Sequence, residues 1–263
     1  MDPETRSALP RPGPIGAVLG VLRVAAIFAL LTVGTLVLLV SALLPVRPRG
    51  VQLAVHVAVG ISRLFVAITG IRLIVDGRNA LRAHRGFVFF SHLAWLDPIA
   101  LMAITPVRFL ATQGVRRIPF IGWMASAIGT LFVNRGRDES REAARGALRA
   151  AVARSPLPVA LAPEGGITTG PSVGPLRLGA FEVAQDADAD ILLVALAFSP
   201  PGYAVWEDET LVGPLWRLCA RTVPFTVTVT PLGSPVETRP PGGATAEALA
   251  DEATARFDAA LVG

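Results

Sequence analysis

The 263-residue chain contains no lysine, and all 24 of its basic residues are arginine. It has one cysteine, Cys219, which excludes an intramolecular disulfide and a cysteine-rich metal site. Its three histidines, His56, His84 and His92, lie in separate contexts without the spacing of a metal-ligand motif. We therefore expect neither a metal nor a bound cofactor.

Charged residues of both signs are also scarce. They make up 17% of the chain, whereas 52% is hydrophobic and the mean hydropathy is +0.56. Such a composition is too apolar for an ordinary soluble domain and predicts membrane association. The net charge of +4 favours an anionic lipid surface, although a merely solvated basic surface explains it equally well. It is too small and too scattered to indicate nucleic acid binding.

One long apolar run, residues 24–44, contains no charged residue. A helix of that length spans about 30 Å, the thickness of the hydrocarbon layer of a bilayer, so it predicts a membrane anchor. The alternative is a cleaved signal peptide ending near Val40-Ser41-Ala42. A second, amphipathic stretch at 51–71 could return through the membrane, lie in its interface or pack on the rest of the protein. Arginines on both sides of the first run leave its orientation open.

Beyond residue 70, short apolar runs alternate with helical patterns, which predicts an α/β fold with a mixed, largely buried sheet flanked by helices. An N-terminal membrane helix or helical hairpin would precede it. The predicted division is a flexible N-terminus (1–14), a membrane-anchoring segment (15–70) and a catalytic domain (71–263). Strands are expected at 71–75, 86–91, 107–111, 130–134, 158–162, 191–198 and 224–230, and helices at 98–104, 120–128, 138–154, 175–187 and 245–261.

The stretch FFSHLAWLDPIAL, residues 89–101, combines a histidine with an aspartate that precedes a proline. Asp97 and Pro98 predict a helix start, with Asp97 at the N-cap. His92 would then lie in the turn between strand and helix, within reach of Asp97. A carboxylate that accepts one imidazole N–H leaves the other ring nitrogen free as a base. The alternative is a turn residue and a helix cap without chemistry.

Two later segments, RRIPFIGWMASAIGTLFVNRGR and APEGGITTG, follow SHLAWLD in the order found in the glycerolipid acyltransferases. The chain resembles this family, which includes 1-acylglycerol-3-phosphate and lysophospholipid acyltransferases, over residues 70–235. Its His-x-x-x-x-Asp pair, its Pro-x-x-Gly helix leading to a strand and an arginine, its Pro-Glu-Gly block and its Gly-Ala-Phe segment are all present. The matching residues are His92, Asp97, Pro119, Gly122, Gly129, Arg135, Pro163, Glu164, Gly165, Gly179, Ala180 and Phe181.

The resemblance implies acyl transfer from acyl-CoA or acyl carrier protein to the hydroxyl of a membrane lysolipid. His92 would be the general base and Asp97 its orienting partner, and Arg135 would contact a phosphate. Glu164, Gly165 and Gly166 would line the substrate site, with backbone amides near them as oxyanion donors. The implied location is the cell inner membrane, with the catalytic domain in the cytoplasm.

Two departures from the family pattern concern the acceptor. The Pro-Glu-Gly block usually continues Thr-Arg-Ser but here continues Gly166-Ile167-Thr168, and a basic segment is replaced by residues 112–114 (Thr-Gln-Gly). Both lost basic positions are associated in the family with the lysophosphatidate phosphate. Lysophosphatidate remains the first expectation, and an acceptor with a capped phosphate or an amino-acid lysolipid is the alternative. Candidate substitutes for the lost charges are Arg116, Arg117 and Arg177.

Two other functions compete with acyl transfer. GPSVG (170–174) matches the Gly-x-Ser-x-Gly pattern of serine hydrolases. That pattern requires a strand before Ser172 and a helix directly after it, whereas the prolines at 171 and 175 favour a turn. A non-catalytic membrane scaffold of the same fold is the second alternative, and the intact pair of His92 and Asp97 argues against it.

Overall fold

The computed structural model describes residues 12–134, 136, 138–168, 172–204, 210–240 and 243–262. Within them the α-helices are α1 (Pro14–Leu43), α2 (Leu53–Thr69), α3 (Arg78–Ala83), α4 (Asp97–Ile104), α5 (Gln113–Arg116), α6 (Ile121–Ala127), α7 (Asp138–Arg154), α8 (Leu178–Asp186), α9 (Val212–Ala220) and α10 (Ala246–Val262). Short 3-10 turns lie at Pro48–Gly50 and Pro201–Tyr203.

Seven strands form one mixed sheet, which confirms the predicted fold class. They are β1 (Ile71–Val75), β2 (Phe87–Phe90), β3 (Arg108–Thr112), β4 (Leu131–Val133), β5 (Val159–Leu161), β6 (Ile191–Ser199) and β7 (Phe225–Pro231). Their spatial order is β1-β7-β6-β2-β5-β3-β4. The β6–β7 pair is antiparallel and every other pair is parallel, so β6, β2, β5, β3 and β4 all run in one direction.

The strands and helices predicted beyond residue 70 are confirmed, with bounds that differ by at most three residues. The helices missed by sequence patterning are α3, α5 and α9. The first two have six and four residues, which is too short for a helical period to be recognised. The third begins with Val212-Gly213-Pro214, residues that are poor indicators of a helix.

Helices cover both faces of the sheet. On β2 the alternating residues face two separate cores: Val88 and Phe90 pack into one and Phe87 and Phe89 into the other. The first core also contains residues of α1, α2, α4 and α9, and the second contains residues of α7, α8 and α10. Both faces of the central strands are buried, which explains their continuous apolar sequences.

Helix α1 has 30 residues and a length of about 45 Å, and a window of it has a mean hydropathy of 2.5. Its length and composition are sufficient to cross a membrane. One side is buried, at Gly16, Gly20, Ile27, Gly34, Thr35, Leu38 and Ser41. A Cβ at Gly16 would lie 2.5 Å from the carbonyl oxygen of Ala220, so this glycine permits close contact with α9. The other side exposes large apolar residues, among them Val18, Leu22, Phe28, Val33, Leu36, Val40 and Leu43.

The second apolar stretch packs on the rest of the protein, one of the three arrangements left open by the sequence. Helix α2 lies against α1, where Gly34 faces Ile61. It also holds α4, because the Arg63 Nε donates to the Ala103 carbonyl at 2.9 Å. The possible cleavage site lies inside α1, with Ser41 buried and bonded to the Leu38 carbonyl. Residues 15–70 thus share a core with the catalytic domain, and the predicted domain division itself stays a prediction.

Candidate active site

The carboxyl ends of four parallel strands bring the predicted functional segments to one edge of the sheet. His92 follows β2, Glu164 follows β5, Thr112 ends β3 and Asn134 follows β4. Because β2 and β5 pair with Phe89 opposite Leu161, the loops that carry His92 and Glu164 are neighbours. Ligands of open α/β sheets bind at this edge.

His92 and Asp97 are in direct contact. The His92 Nδ1–H donates to the Asp97 Oδ2 at 2.8 Å, and this bond leaves Nε2 as the basic nitrogen of the ring. Within the described residues Nε2 makes no hydrogen bond, and the His92 side chain is 21% exposed. The ring also meets Phe90 edge to face, with centroids 5.7 Å apart. The geometry is that of an oriented general base.

The predicted N-cap role of Asp97 is wrong. Leu96 occupies the N-cap position, and Asp97 is the first residue of α4, followed by Pro98. Its Oδ2 accepts the Ala94 N–H at 2.9 Å, upstream of the helix, in addition to the His92 ring. The carboxylate therefore turns back to the loop that carries His92, and it stabilises that loop and not the first turn of the helix.

Burial gives this pair its electrostatic character. The Asp97 side chain is fully buried, and burial raises its pKa above the ordinary value, while the hydrogen bonds from His92 and the Ala94 amide oppose this shift. A buried carboxylate gains most when a neighbouring group becomes cationic. The Asp97 carboxylate is thus placed to stabilise positive charge on the imidazole ring of His92.

Glu164 contacts the backbone of His92. Its Oε1 accepts the His92 N–H at 3.0 Å, and its Oε2 accepts a short hydrogen bond from the Thr168 hydroxyl. The Thr168 N–H donates in turn to the His92 carbonyl at 2.8 Å. Burial raises the pKa of Glu164, and the bond from Thr168 opposes the rise. Both oxygens of the predicted substrate-binding carboxylate are thus engaged within the protein.

The two glycines after Glu164 differ in their surroundings. Gly165 is buried with φ +86°, a conformation that favours glycine, and its amide already donates to the Ala162 carbonyl at 3.1 Å. Gly166 is exposed, and its amide makes no hydrogen bond to any described residue. Of these two glycine amides, that of Gly166 is therefore the one available to an oxyanion.

A cleft of about 290 Å³ lies beside β3 and β4 at the same edge of the sheet. Its described lining is mostly neutral and consists of Thr112, Gln113, Gly114, Arg117, Val133, Asn134 and Gly136. The predicted phosphate contact, Arg135, lies outside the described residues.

The three candidate substitutes for the lost basic positions lie in different places. Arg117 lines the cleft. The backbone amide of Arg177 donates to the carbonyl of Pro163, next to Glu164. The guanidinium of Arg116 lies over the ring of Phe132, 5.6 Å from its centre. Of the three, only Arg117 is part of the described lining of the cleft.

Trp95, between the two catalytic candidates, packs against the apolar N-terminal region. Its ring meets that of Phe65 in α2 edge to face, with centroids 6.1 Å apart. Its indole nitrogen is buried and has no hydrogen-bond partner among the described residues. A packing role therefore explains Trp95, and α2 directly contacts the loop that carries His92.

The hydrolase pattern lacks the surroundings it would require. Residues 169–171 lie outside the described residues, but the segment before them is loop and the next helix, α8, begins six residues after Ser172. Elsewhere, two arginines of α7 pair with acidic residues of α8: Arg145 with Glu182 at 2.7 Å and Arg149 with Asp186 at 3.5 Å.

Thr168 is the residue that the sequence reasoning missed. Its hydroxyl donates to Glu164, and its amide donates to the carbonyl of His92. A signal was available, because Thr168 stands where the family pattern has the serine of Thr-Arg-Ser and so retains a hydroxyl. Because Gly166 and Ile167 replace the threonine and arginine of the pattern, the hydroxyl retained at Thr168 is easily overlooked.

Comparison with known proteins gives the same family as the sequence motifs. Residues 72–199 match the family model described as Acyltransferase. The chain is 32% identical to a 1-acyl-sn-glycerol-3-phosphate acyltransferase of Neisseria gonorrhoeae over 151 residues, which are 54% of this chain and 58% of that one. It is 36% identical to a lyso-ornithine lipid O-acyltransferase of Rhodobacter capsulatus over 121 residues, 46% of this chain and 42% of that one. These alignments span about half the length of the curated relatives.

The fold as a whole has a solved counterpart. The crystal structure of the 1-acyl-sn-glycerophosphate acyltransferase PlsC from Thermotoga maritima superimposes with a TM-score of 0.72 over 93% of this chain and 94% of that one. The sequence identity is 16%, so this likeness establishes the shared fold alone.

Proposed function

Residues 72–199 of this chain belong to the acyltransferase family, and from that premise we propose a membrane-bound O-acyltransferase that acylates a lysophospholipid hydroxyl. The proposed acceptor is 1-acylglycerol-3-phosphate, which would become phosphatidate, and the donor is acyl-CoA or acyl carrier protein. The observation that carries the proposal is the bond between His92 Nδ1 and Asp97 Oδ2, which leaves Nε2 available at the carboxyl edge of the sheet.

In the proposed reaction, the acceptor oxygen attacks the thioester carbonyl carbon while His92 Nε2 takes its proton. Collapse of the tetrahedral intermediate breaks the C–S bond, and the leaving sulfur takes the proton back from His92. The products are an ester and a free thiol, and no acyl-enzyme is required. The Gly166 amide is the proposed donor to the oxyanion, and Arg135 the proposed contact of a phosphate.

Membrane binding is supported by the apolar face of α1. Its exposed residues, such as Leu22, Phe28 and Leu36, form a continuous apolar side, and its other side is packed on the protein from Gly16 to Ser41. We assign this face to the lipid, in the cell inner membrane with the active site on the cytoplasmic side. A lysolipid acceptor could then reach His92 without leaving the bilayer.

An amino-acid lysolipid is the second candidate acceptor, and a specific observation favours it. The described lining of the cleft has one cation, Arg117, beside the neutral hydrogen-bonding residues Thr112, Gln113 and Asn134, whereas a phosphomonoester would favour several cations. One relative is named a lyso-ornithine lipid O-acyltransferase.

The test is acyl transfer by the purified protein in lipid vesicles. Labelled acyl-CoA and labelled acyl carrier protein are each offered with lysophosphatidate, lysophosphatidylglycerol, lysophosphatidylcholine and a lyso-ornithine lipid, and protein-free vesicles serve as the blank. Labelled phosphatidate is the expected product. Labelling of the ornithine lipid alone would replace the first acceptor with the second, and no labelled product with any pair would favour the scaffold.

A further inference from the structure

The segment that follows β5 holds the main chain of His92 on both sides of its Cα atom. Glu164 accepts the His92 N–H at 3.0 Å, and the Thr168 N–H donates to the His92 carbonyl at 2.8 Å. The Thr168 hydroxyl closes the arrangement by donating to the second oxygen of Glu164. The peptide groups before and after the base are therefore both fixed by one short segment.

This arrangement complements the bond at the other end of the side chain. Asp97 fixes the imidazole ring through Nδ1, whereas Glu164 and Thr168 fix the backbone from which the side chain projects. A base must lie within hydrogen-bond distance of the hydroxyl that it deprotonates, and a shift of about 1 Å can cost about 100-fold in rate. Both ends must be held for Nε2 to keep its place.

The Thr168 hydroxyl has a specific role because Glu164 is buried, with only 8% of its surface exposed. A buried carboxylate is stabilised by the donors that its oxygens receive, and the loss of one is costly. If the hydroxyl is removed, Oε2 loses its side-chain donor and the carboxylate keeps only the backbone amides of His92 and Gly174, so Oε1 is held less firmly for the His92 amide. The hydrogen bond from the Thr168 N–H to the His92 carbonyl remains, but it cannot replace the contact between Glu164 and the His92 N–H.

We propose that Thr168 is a positioning residue for acyl transfer, whose hydroxyl fixes the Glu164 carboxylate so that Glu164 in turn fixes the backbone of His92. The proposal rests on the proposed function of His92 as the base. In this proposal Glu164 supports the backbone of His92. Valine at position 168 has the shape of threonine but no hydroxyl, so it cannot bond to Glu164.

The experiment compares kcat and KM for Thr168→Val, Thr168→Ala and Thr168→Ser in the full-length protein with the acceptor that the wild type uses. Thr168→Val keeps the shape of the side chain and should lower kcat about 10- to 100-fold. KM should change less than about three-fold, because substrate contacts are not removed. Thr168→Ser restores the hydroxyl and should recover kcat to within about three-fold of the wild type.

The matched control is Thr254→Val. Its hydroxyl donates to the Ala250 carbonyl within α10, a helix that packs in the core on the opposite side of the sheet from α4, so kcat should not change. Thermal unfolding of each variant separates loss of fold from loss of positioning, and Thr168→Ala replaces Thr168→Val if the latter does not fold.

The outcomes distinguish the two proposals. If Thr168→Val retains full kcat while His92→Ala is inactive, the positioning role is refuted and the proposed function stands. A Thr168→Ser variant as impaired as Thr168→Val would also refute it, because the hydroxyl would not be the cause. If His92→Ala is as active as the wild type, the proposed function itself fails.

Discussion

Replacing Asp97 with asparagine removes one charge from the centre of the site and little else. The side chain is fully buried, and asparagine has nearly the same shape. Its amide oxygen can still accept the His92 Nδ1–H and the Ala94 N–H, now 2.8 and 2.9 Å from the carboxylate. The variant thus tests whether the negative charge of Asp97 supports the protonated form of His92.

The size of the effect follows from the separation of the two charges. With Nδ1 and Oδ2 2.8 Å apart, the delocalised charge centres are about 4 Å apart, and their attraction is about 4 kcal/mol at an effective dielectric constant of 20. That energy is present only when His92 has taken up the proton, so its loss raises the barrier to acyl transfer. We therefore expect kcat to fall about 10³-fold, at about 1.4 kcal/mol for each factor of ten.

The assay is the initial rate of labelled ester formation at saturating donor and acceptor, with thermal unfolding measured in parallel. Asp76→Asn is the control, because Asp76 is an exposed aspartate that follows β1 at the opposite edge of the sheet. It should retain the wild-type rate. A rate for Asp97→Asn within three-fold of the wild type, in a folded protein, would refute the electrostatic role assigned to Asp97.

Four further results are expected. Glu164→Gln should raise the unfolding temperature at neutral pH, because burial raises the pKa of Glu164 and makes its ionised form unfavourable. This gain should disappear as the pH falls through the pKa of Glu164 in the folded state. A gain that is the same at every pH would contradict this explanation. Gly122→Ala should destabilise the protein by about 1–3 kcal/mol, since a Cβ would lie 2.1 Å from the Arg116 carbonyl oxygen. Gly146→Ala should stabilise it by about 0.5–1 kcal/mol, because no atom lies within 4 Å of the added Cβ in the helix α7. Equal unfolding temperatures for the two variants would refute this contrast. Cys219 should resist thiol reagents at pH 8 until the protein is unfolded in detergent, because burial raises its pKa to about 11, and rapid labelling of the folded protein would count against its burial. Leu36→Asp on α1 should reduce flotation with vesicles and Leu178→Asp on α8 should not, and equal flotation would remove α1 as the lipid-binding face.

The contact between His92 and Asp97 could be predicted from the sequence because the two residues are close along the chain. Five positions separate His92 from Asp97, and a strand followed by a helix brings them together whatever the rest of the fold does. The N-cap role was wrong because a carboxylate at a helix start can bond in either direction. Only the structure shows that Asp97 bonds to the preceding loop, at Ala94.

The support of His92 by Glu164 could not be predicted, because it depends on strand order. The two residues are 72 positions apart, and they meet because β5 pairs directly with β2. Alternating apolar runs indicate that strands exist, but they do not specify which strands are neighbours. The prediction that Glu164 binds substrate could therefore not include its contact with the main chain of the base.

The uncharged run at 24–44 is shorter than α1, because Arg23 interrupts the apolar sequence without ending the helix. The guanidinium donates to the carbonyls of Cys219 and Arg221, at 2.9 and 3.0 Å, so it is satisfied inside the fold and the helix begins nine residues earlier, at Pro14. A charge in an apolar helix marks an end only when no partner is available, and the sequence does not reveal the partner.

The most direct test of the central claim is the rate of acyl transfer by His92→Ala beside the wild type, with the same donor and acceptor. His56→Gln is the control, because His56 lies in α2 and bonds to the Pro48 carbonyl, away from the site. With His92 as the base, His92→Ala should lose about 10²- to 10⁴-fold in kcat while His56→Gln keeps its rate. Equal rates for all three folded proteins would show that another group removes the proton, and the proposed mechanism would fail.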